Sequence, residues 1–329
     1  MKIAFVAEET RCRKYEPKME IVDQVEKIYF PVTATAEEFL RSARDVDVLV
    51  ADSSFHVTKE MMKQMPNLKM IHSEGVAYHG FDLAGARELG IDVCNNKGAN
   101  ADAVAEQTIM LMLMCQRDAI RAHHSLPEGK QIETKERKIV EGIVDLGDCK
   151  VGLIGFGDIA KATAKRLQAF GCDLYYYSRH RKSPEVEAEY QVKYLPLFEL
   201  ARTCHVISLH AAVTPETTGM IDAEFLSHMR KDSWLINTAR GQLIVDQALR
   251  EALIEGRIAG AGFDTLYPEP TPGTHPLVDI PKDIPATIVY SPHLGGNTIG
   301  SFRRVYQNIW HNIDKIRDGK EPEYIVNKE

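Results

Sequence analysis

The stretch Val151 to Ala160, reading Val-Gly-Leu-Ile-Gly-Phe-Gly-Asp-Ile-Ala, restricts the possible folds of this chain more than any other. An apolar run, a glycine turn and the start of a helical pattern follow one another directly. Val151 to Ile154 predict a buried parallel strand, and Gly155 permits the tight turn after it. Gly157 lets the backbone approach a pyrophosphate, and Ala160 stands where a third small residue lets the helix pack on the sheet. The helix expected from Ile159 to Phe170 carries Ala160, Ala164 and Leu167 at helical spacing, so its first N–H groups and positive dipole end would face the phosphates. This is the pattern of a dinucleotide-binding turn, although an ordinary strand-to-helix turn can carry the same letters.

The rest of the chain alternates strand and helix. Strands are expected at Lys2 to Ala7, Lys27 to Phe30, Val46 to Ala51, Leu68 to His72 and Asp92 to Asn95, and helices at Ala36 to Ala43, Thr58 to Gln64 and Asp82 to Leu89. Such alternation gives a small flavodoxin-like parallel sheet covered by helices. Asn100 to Arg117 reads as a helix that is apolar all round in its second half, hence buried between domains or against a second subunit. Ala122 to Lys150 reads as a charged surface connection. Beyond the glycine turn, strands at Cys172 to Tyr177, Val206 to Leu209, Ser233 to Asn237, Gly260 to Phe263 and Thr287 to Tyr290 bring the second sheet to six. The fold class is therefore α/β with two Rossmann-like domains, one a doubly wound parallel-sheet cofactor domain.

Composition excludes several partners. The 329 residues suggest two domains. A formal charge of −7 with no dense basic cluster argues against nucleic acid. The most apolar stretch, Thr108 to Cys115, is far too short for a membrane span. Cys12, Cys94, Cys115, Cys149, Cys172 and Cys204 show no C-x-x-C spacing, which predicts reduced, packed thiols, a cytoplasmic protein and no metal site.

Polar residues gather just past strand ends. Arg240 follows Asn237-Thr238-Ala239, Asp264 follows Phe263, and His293 follows Ser291-Pro292, with Glu269 in the loop after Asp264. Singly, each could be a solvated loop residue. Delivered together to one sheet edge, an Arg, a Glu and a His form an acid-base set. In the first domain, Asp52-Ser53-Ser54-Phe55 and Ser73 to Tyr78 are candidate ligand loops. Successive N–H groups at Val76 and Ala77 could nest a small carboxylate, or form a plain turn.

Taken with Gly75-Val76-Ala77, Ala103 to Glu106, Gly155 to Ala160, Asn237 to Gly241, Glu269-Pro270 and Ser291 to Gly296, the chain resembles the D-isomer-specific 2-hydroxyacid dehydrogenase family over essentially its whole length. The resemblance implies a substrate domain at 1–101 completed by 299–329, a dinucleotide-binding domain at 102–298, and a homodimer built partly on the apolar helix after Asn100. Three departures stand out: Ala77 replaces a usual glycine, Lys97 replaces a common proline, and the segment before Gly152 has no Trp. They bear on substrate fit.

The resemblance and the chemistry together imply reduction of a small 2-keto acid such as glyoxylate, hydroxypyruvate or pyruvate. His293 would donate the proton, Glu269 would fix its tautomer, and Arg240 would bind the carboxylate and polarise the carbonyl. Val76 and Ala77 would hold the carboxylate from the other domain. Cofactor contacts are expected at Gly155, Phe156, Gly157, Asp158, Ile159, Ser178, Arg179, Arg181, His210, Ala212, Thr217, Thr238, Ala239, Asp264 and Gly295. Ser178 stands where an NAD enzyme carries an acidic residue about 20 positions after the turn. Arg179, His180 and Arg181 follow it, so NADP is expected over NAD. Formate and phosphite dehydrogenases of the same fold, and a nucleotide-sensing corepressor, remain alternatives.

Overall fold

The computed structural model describes residues 1–281 and 283–328. The chain divides into two compact units: Met1–Asn100 with Asn297–Glu329, and Ala101–Gly296. The first runs β1 (Lys2–Val6), α1 (Glu9–Tyr15), α2 (Glu20–Asp23), β2 (Glu26–Phe30), α3 (Ala36–Ala43), β3 (Val48–Ala51), α4 (Lys59–Met62), β4 (Met70–Ser73), α5 (Leu83–Glu88) and β5 (Asp92–Cys94). The second opens with α6 (Ala101–Gln116), α7 (Ala119–Ser125) and α8 (Gln131–Glu141). It continues through β6 (Lys150–Ile154), α9 (Asp158–Phe170), β7 (Asp173–Tyr177), α10 (Pro184–Tyr190), β8 (Val192–Tyr194), α11 (Leu197–Thr203) and β9 (Val206–Leu209). Then come α12 (Ala223–His228), β10 (Trp234–Asn237), α13 (Asp246–Ile254), β11 (Gly260–Phe263) and β12 (Thr287–Tyr290), before α14 (Ile299–Arg317) rejoins the first unit.

The first sheet is parallel, in the order β2-β1-β3-β4-β5, the flavodoxin-like arrangement. Side chains alternate across its pleat. Ile3, Phe5, Val48, Val50 and Met70 pack with Tyr306, Ile309, Trp310 and Ile313 of α14, while Ala4, Val6, Leu49 and Ile71 pack with Phe39, Met61 and Met62. The α3 helix begins at a capping box, Thr35 with Glu38, which satisfies N–H groups on both sides of the helix start.

The second sheet is also parallel, in the order β12-β11-β10-β9-β6-β7-β8. It has seven strands rather than six, because the three-residue strand β8 adds an edge beside β7. Its chain reversal lies between β6 and β9, where open sheets of this kind bind ligands. The segment expected as a surface connection contains α7 and α8, neither of which buries a residue. The helix α6 is seated inside its own unit, against α9, β10, β11 and β12, which bury Ile109, Leu111, Met112 and Cys115, while Met110 stays 42% exposed.

The six cysteines are free thiols. Burial pushes Cys12 up to about 11 and Cys94, Cys115 and Cys204 up to about 12, so these four are not thiolates near neutral pH. Among the described residues, no helix is long and apolar enough to cross a membrane.

His72, fully buried at the end of β4, holds a neutral tautomer fixed on both sides. Its Nδ1 donates to the Ser73 carbonyl at 2.8 Å, and its Nε2 accepts from Asn312 Nδ2 at 3.1 Å. Burial pushes its pKa down to about 4. An unfolded histidine titrates near 6.5, so below that pH the unfolded chain takes up a proton that the native one refuses. Stability of the first unit should therefore be unaffected by this group above pH 6.5. It should then fall by about 1.4 kcal/mol per pH unit down to about pH 4. Urea unfolding of a Trp234→Phe variant, followed at Trp310 between pH 8 and 5, reads this slope, and His72→Gln should flatten it.

Candidate active site

At the reversal point of the second sheet, β6 ends in Gly155, with φ +89°. A Cβ there would lie 2.7 Å from the His210 carbonyl and the Ala211 nitrogen, so glycine is required by conformation and by space. Gly157, the residue before α9, is the reverse case: a Cβ there would meet nothing within 4 Å. The open space lies at the N-terminus of a 13-residue helix, whose first-turn N–H groups have no intrahelical acceptor. A phosphate-bearing dinucleotide fits this arrangement, because the cradle is free where a side chain would fill it. Phe156 turns its ring into the core against Tyr176 and Tyr190, leaving only its backbone for a ligand. Asp158 is exposed, and Ile159 is half-buried.

The loop after β7 treats its three polar candidates differently. Ser178 Oγ donates to the His180 carbonyl at 2.6 Å. Arg181 is committed elsewhere: its guanidinium forks onto Glu187 at 2.8 and 2.9 Å and lies over the Tyr194 ring. Glu187 also accepts from Tyr176 Oη at 2.7 Å, and these hydrogen bonds, Arg181 first, pull its pKa down to about 2. Arg179 is exposed and has no hydrogen-bond or ion-pair partner among the described residues. After β9, His210 Nε2 meets Ser208 Oγ at 3.0 Å, and its buried Nδ1 has no hydrogen-bond partner among the described residues. Burial pushes His210 down to about 3, so the ring is neutral. Thr217 turns inward on its own loop, its hydroxyl donating to the exposed Ala212 carbonyl at 2.7 Å and accepting from Thr214 N at 2.8 Å.

Three neighbouring strands, β10, β11 and β12, deliver Arg240, Asp264 and His293 to the same sheet edge. Asn237 stitches the β10 turn, accepting from Ala239 N and donating to the Arg240 carbonyl, both at 3.0 Å. Thr238 is buried with its hydroxyl 2.8 Å from that of Thr108, which donates onward to Val104, so it ties the turn to α6. Arg240 is exposed, with Nη1 donating to the Ala239 carbonyl at 2.7 Å.

Asp264 is buried and bonded on every side. Its carboxylate accepts from Leu294 N and Gly295 N, both at 2.9 Å, and from Gln107 Nε2 at 3.2 Å. Its carbonyl accepts from His293 N at 2.8 Å. These bonds hold His293 at φ +54°, a left-handed conformation that costs a non-glycine residue about 1–3 kcal/mol. His293 Nδ1 then meets Glu269 Oε2 at 2.7 Å.

Two supports were not anticipated from the sequence. Gln107 bonds both Asp264 and, at 2.7 Å, Ser291 Oγ. Set between Glu106 and Thr108 in the polar first half of α6, it carried no signal that separated it from its neighbours. His275 is buried, with Nε2 2.9 Å from the Tyr267 carbonyl and 3.1 Å from Asp246, bracing the loop that carries Glu269. That pairing spans separate segments and left no local trace.

In the first unit, the loop after β4 has its carbonyls tied one by one. Gly75 O accepts from Asn96 N at 3.0 Å, Val76 O from Asn95 Nδ2 at 2.8 Å, and Ala77 O from Ser73 Oγ at 2.5 Å. The N–H groups of Val76 and Ala77 have no acceptor among the described residues, the condition for an anion nest. Ser53 is half-buried, and Ser54 and Tyr78 are exposed. Phe55 is in the core beside Phe39, so it does not line a pocket.

Comparison with known proteins identifies the family. Residues 109–295 match the family model described as D-isomer specific 2-hydroxyacid dehydrogenase, NAD binding domain. A glyoxylate reductase of Thermofilum pendens is 34% identical over 89% of this chain and 85% of its own. A hydroxypyruvate reductase of Thermotoga maritima is 36% identical over 82% of this chain and 84% of its own. The crystal structure of the TT0316 protein from Thermus thermophilus superimposes with a TM-score of 0.83 at 29% identity, covering 99% of this chain and 100% of that one. With its glycine turn, its Asp264-anchored His293 and these relatives, the chain belongs to the D-isomer-specific 2-hydroxyacid dehydrogenase family.

Proposed function

We propose that this member of the family reduces a small 2-keto acid, of the glyoxylate, hydroxypyruvate or pyruvate class, to the D-2-hydroxy acid, with NADPH as the preferred cofactor and His293 as the proton donor. The observation that carries the reading is the 2.7 Å contact between His293 Nδ1 and Glu269 Oε2. A carboxylate on Nδ1 keeps a proton on that nitrogen and assigns proton exchange to Nε2. The names of the two reductases described above support the substrate class. Gly157 and the first turn of α9 would hold a reduced nicotinamide cofactor, which would supply the hydride. Arg240 binds the substrate carboxylate and polarises the carbonyl, for which a planar guanidinium suits both acceptors. The N–H groups of Val76 and Ala77 are further carboxylate donors. His293 gives its proton to the carbonyl oxygen as C2 is reduced, and Glu269 stabilises the imidazolium from which the proton leaves. The C2 oxygen thus ends as a neutral hydroxyl, and the carboxylate that Arg240 binds keeps its charge throughout.

The cofactor preference rests on Arg179. Ser178 gives the ribose no carboxylate to bond to, and Arg181 is held by Glu187, so Arg179 is the cation available to a 2′-phosphate. A homodimer is the assembly we infer, and the support for it lies on the α7–α8 arm. Leu126, Ile132, Ile139 and Val140 are 61%, 66%, 63% and 87% exposed, an apolar surface of a kind that marks an interface.

Three outcomes are expected. His293→Ala should lower kcat by about 100-fold or more on whichever 2-keto acid of a panel is reduced fastest; undiminished turnover rules out the acid role. Arg179→Ala should erode the NADPH-over-NADH ratio of kcat/KM by about 1–3 kcal/mol, the range for hydrogen bonds to charged groups, while Arg181→Ala leaves the ratio nearly unchanged. A parent enzyme that prefers NADH contradicts this assignment. Light scattering should give a dimer for the parent and a monomer for the Ile139→Glu, Val140→Asp double variant.

A further inference from the structure

Glu74 immediately precedes the loop whose N–H groups are assigned to the substrate carboxylate, and it is an unusual residue for that place. Its side chain is only 4% exposed, yet it carries a charge. Arg11 of α1 forks onto it, Nε at 2.7 Å and Nη2 at 2.5 Å. Tyr306 of α14 donates to Oε1 at 2.5 Å, and Cys12 Sγ lies 3.1 Å from the same phenol oxygen. Burial first, then the facing Glu74 charge, push the Tyr306 phenol far above its ordinary pKa, so it remains a donor. The Glu74 N–H bonds the Ala51 carbonyl at 2.9 Å. One residue is thus fixed by a helix on each side and by the end of β3.

We propose that Glu74 is a positioning residue for substrate recognition, its clamp by Arg11 and Tyr306 holding the peptide planes of Gly75, Val76 and Ala77 so that two N–H groups point at the substrate carboxylate. The inference rests on the reading of Val76 and Ala77 given above. A buried ion pair is a poor way to gain stability, since an apolar group of the same shape does as well or better. What it adds is direction. Arg11 and Tyr306 accept one placement of the carboxylate, and the loop starts from there. The downstream ties at Asn96, Asn95 and Ser73 close the frame from the other end. Hydrogen bonds to a carboxylate weaken steeply with misalignment, so a loop free to rotate would lose them first. Arg11 also neutralises a negative charge that would otherwise repel the incoming anion.

The test compares the parent with Glu74→Gln and Tyr306→Phe, the second removing one donor without leaving a buried charge unpaired. Each full-length enzyme is assayed with NADPH on pyruvate and on methyl pyruvate, and hydrogen exchange is followed over residues 73–81. The expected result is faster exchange in that segment and a KM for pyruvate raised about 10-fold, the size of one charge-assisted hydrogen bond. kcat/KM on the uncharged ester and KM for NADPH should stay within about twofold, less than the loss of one neutral hydrogen bond would cause. A fall on acid and ester alike marks a merely structural role and overturns the proposal. So do unchanged exchange and unchanged acid-over-ester preference in both variants. If the parent reduces no 2-keto acid, the function proposed above fails, and the exchange over 73–81 still decides the clamp: parent-like exchange in both variants overturns it. If Glu74→Gln does not fold, Tyr306→Phe decides alone.

Discussion

The buried carboxylate of Asp264 is the constraint on which the sheet edge depends. It sits at the end of β11 and takes N–H bonds from Leu294 and Gly295 beyond β12, with a third bond from Gln107 on α6. A buried acceptor left unpaired costs about 1–3 kcal/mol, more when charged, so the loop beyond β12 is held to the one path that serves both oxygens. That path sets His293 in its left-handed conformation and brings its ring to Glu269. Three elements remote in sequence therefore converge through a residue whose own side chain faces protein on all sides. Asp264 was expected to contact the cofactor; its bonds make it first a scaffold for the turn that carries His293.

The same logic recurs in the first unit at a different scale. Glu74 and His72 are both buried polar residues beside the loop after β4, and each is satisfied by α14, through Tyr306 and Asn312. Polar groups of this kind contribute uniqueness more than stability, because each admits few partner geometries. In the loop they flank, the carbonyls of Gly75, Val76 and Ala77 are engaged while the N–H groups of Val76 and Ala77 have no acceptor among the described residues, which gives that stretch a chemical direction.

Much of this was legible before any coordinates. The α/β class, the two parallel sheets and the family followed from runs such as Val48–Ala51 and Val206–Leu209 and from the glycine turn, because strand burial and turn conformation leave local signatures. β8 was missed because its three residues, Val192–Tyr194, include the exposed Lys193 and form no apolar run, and α1 and α10 bury one residue each, too few to show a helical period. The apolarity of α6 was legible, but its cause was not. Periodicity says that a helix is covered and cannot say by what, and here the cover is α9 and its own sheet. Side-chain partnership was hardest to read. Arg181 looks like Arg179 in sequence, and only the position of Glu187, one turn into α10, separates a cation already satisfied from one that is exposed.

The discontinuity of the first unit has a consequence for biosynthesis. Ribosomal synthesis runs from the N-terminus, so residues 1–100 emerge first, yet one face of their sheet is covered by Tyr306, Ile309, Trp310 and Ile313, which emerge last. The intervening unit is continuous from Ala101 to Gly296 and contains its own core, so it can close while the first sheet still waits for its final layer. The part of the chain made first is the part completed last. Throughout that interval Ile3, Phe5, Val48, Val50 and Met70 present an apolar face covered only in part, by Cys12 of α1 and Ile21 and Val22 of α2, the kind of surface that chaperones hold and that aggregates when they do not.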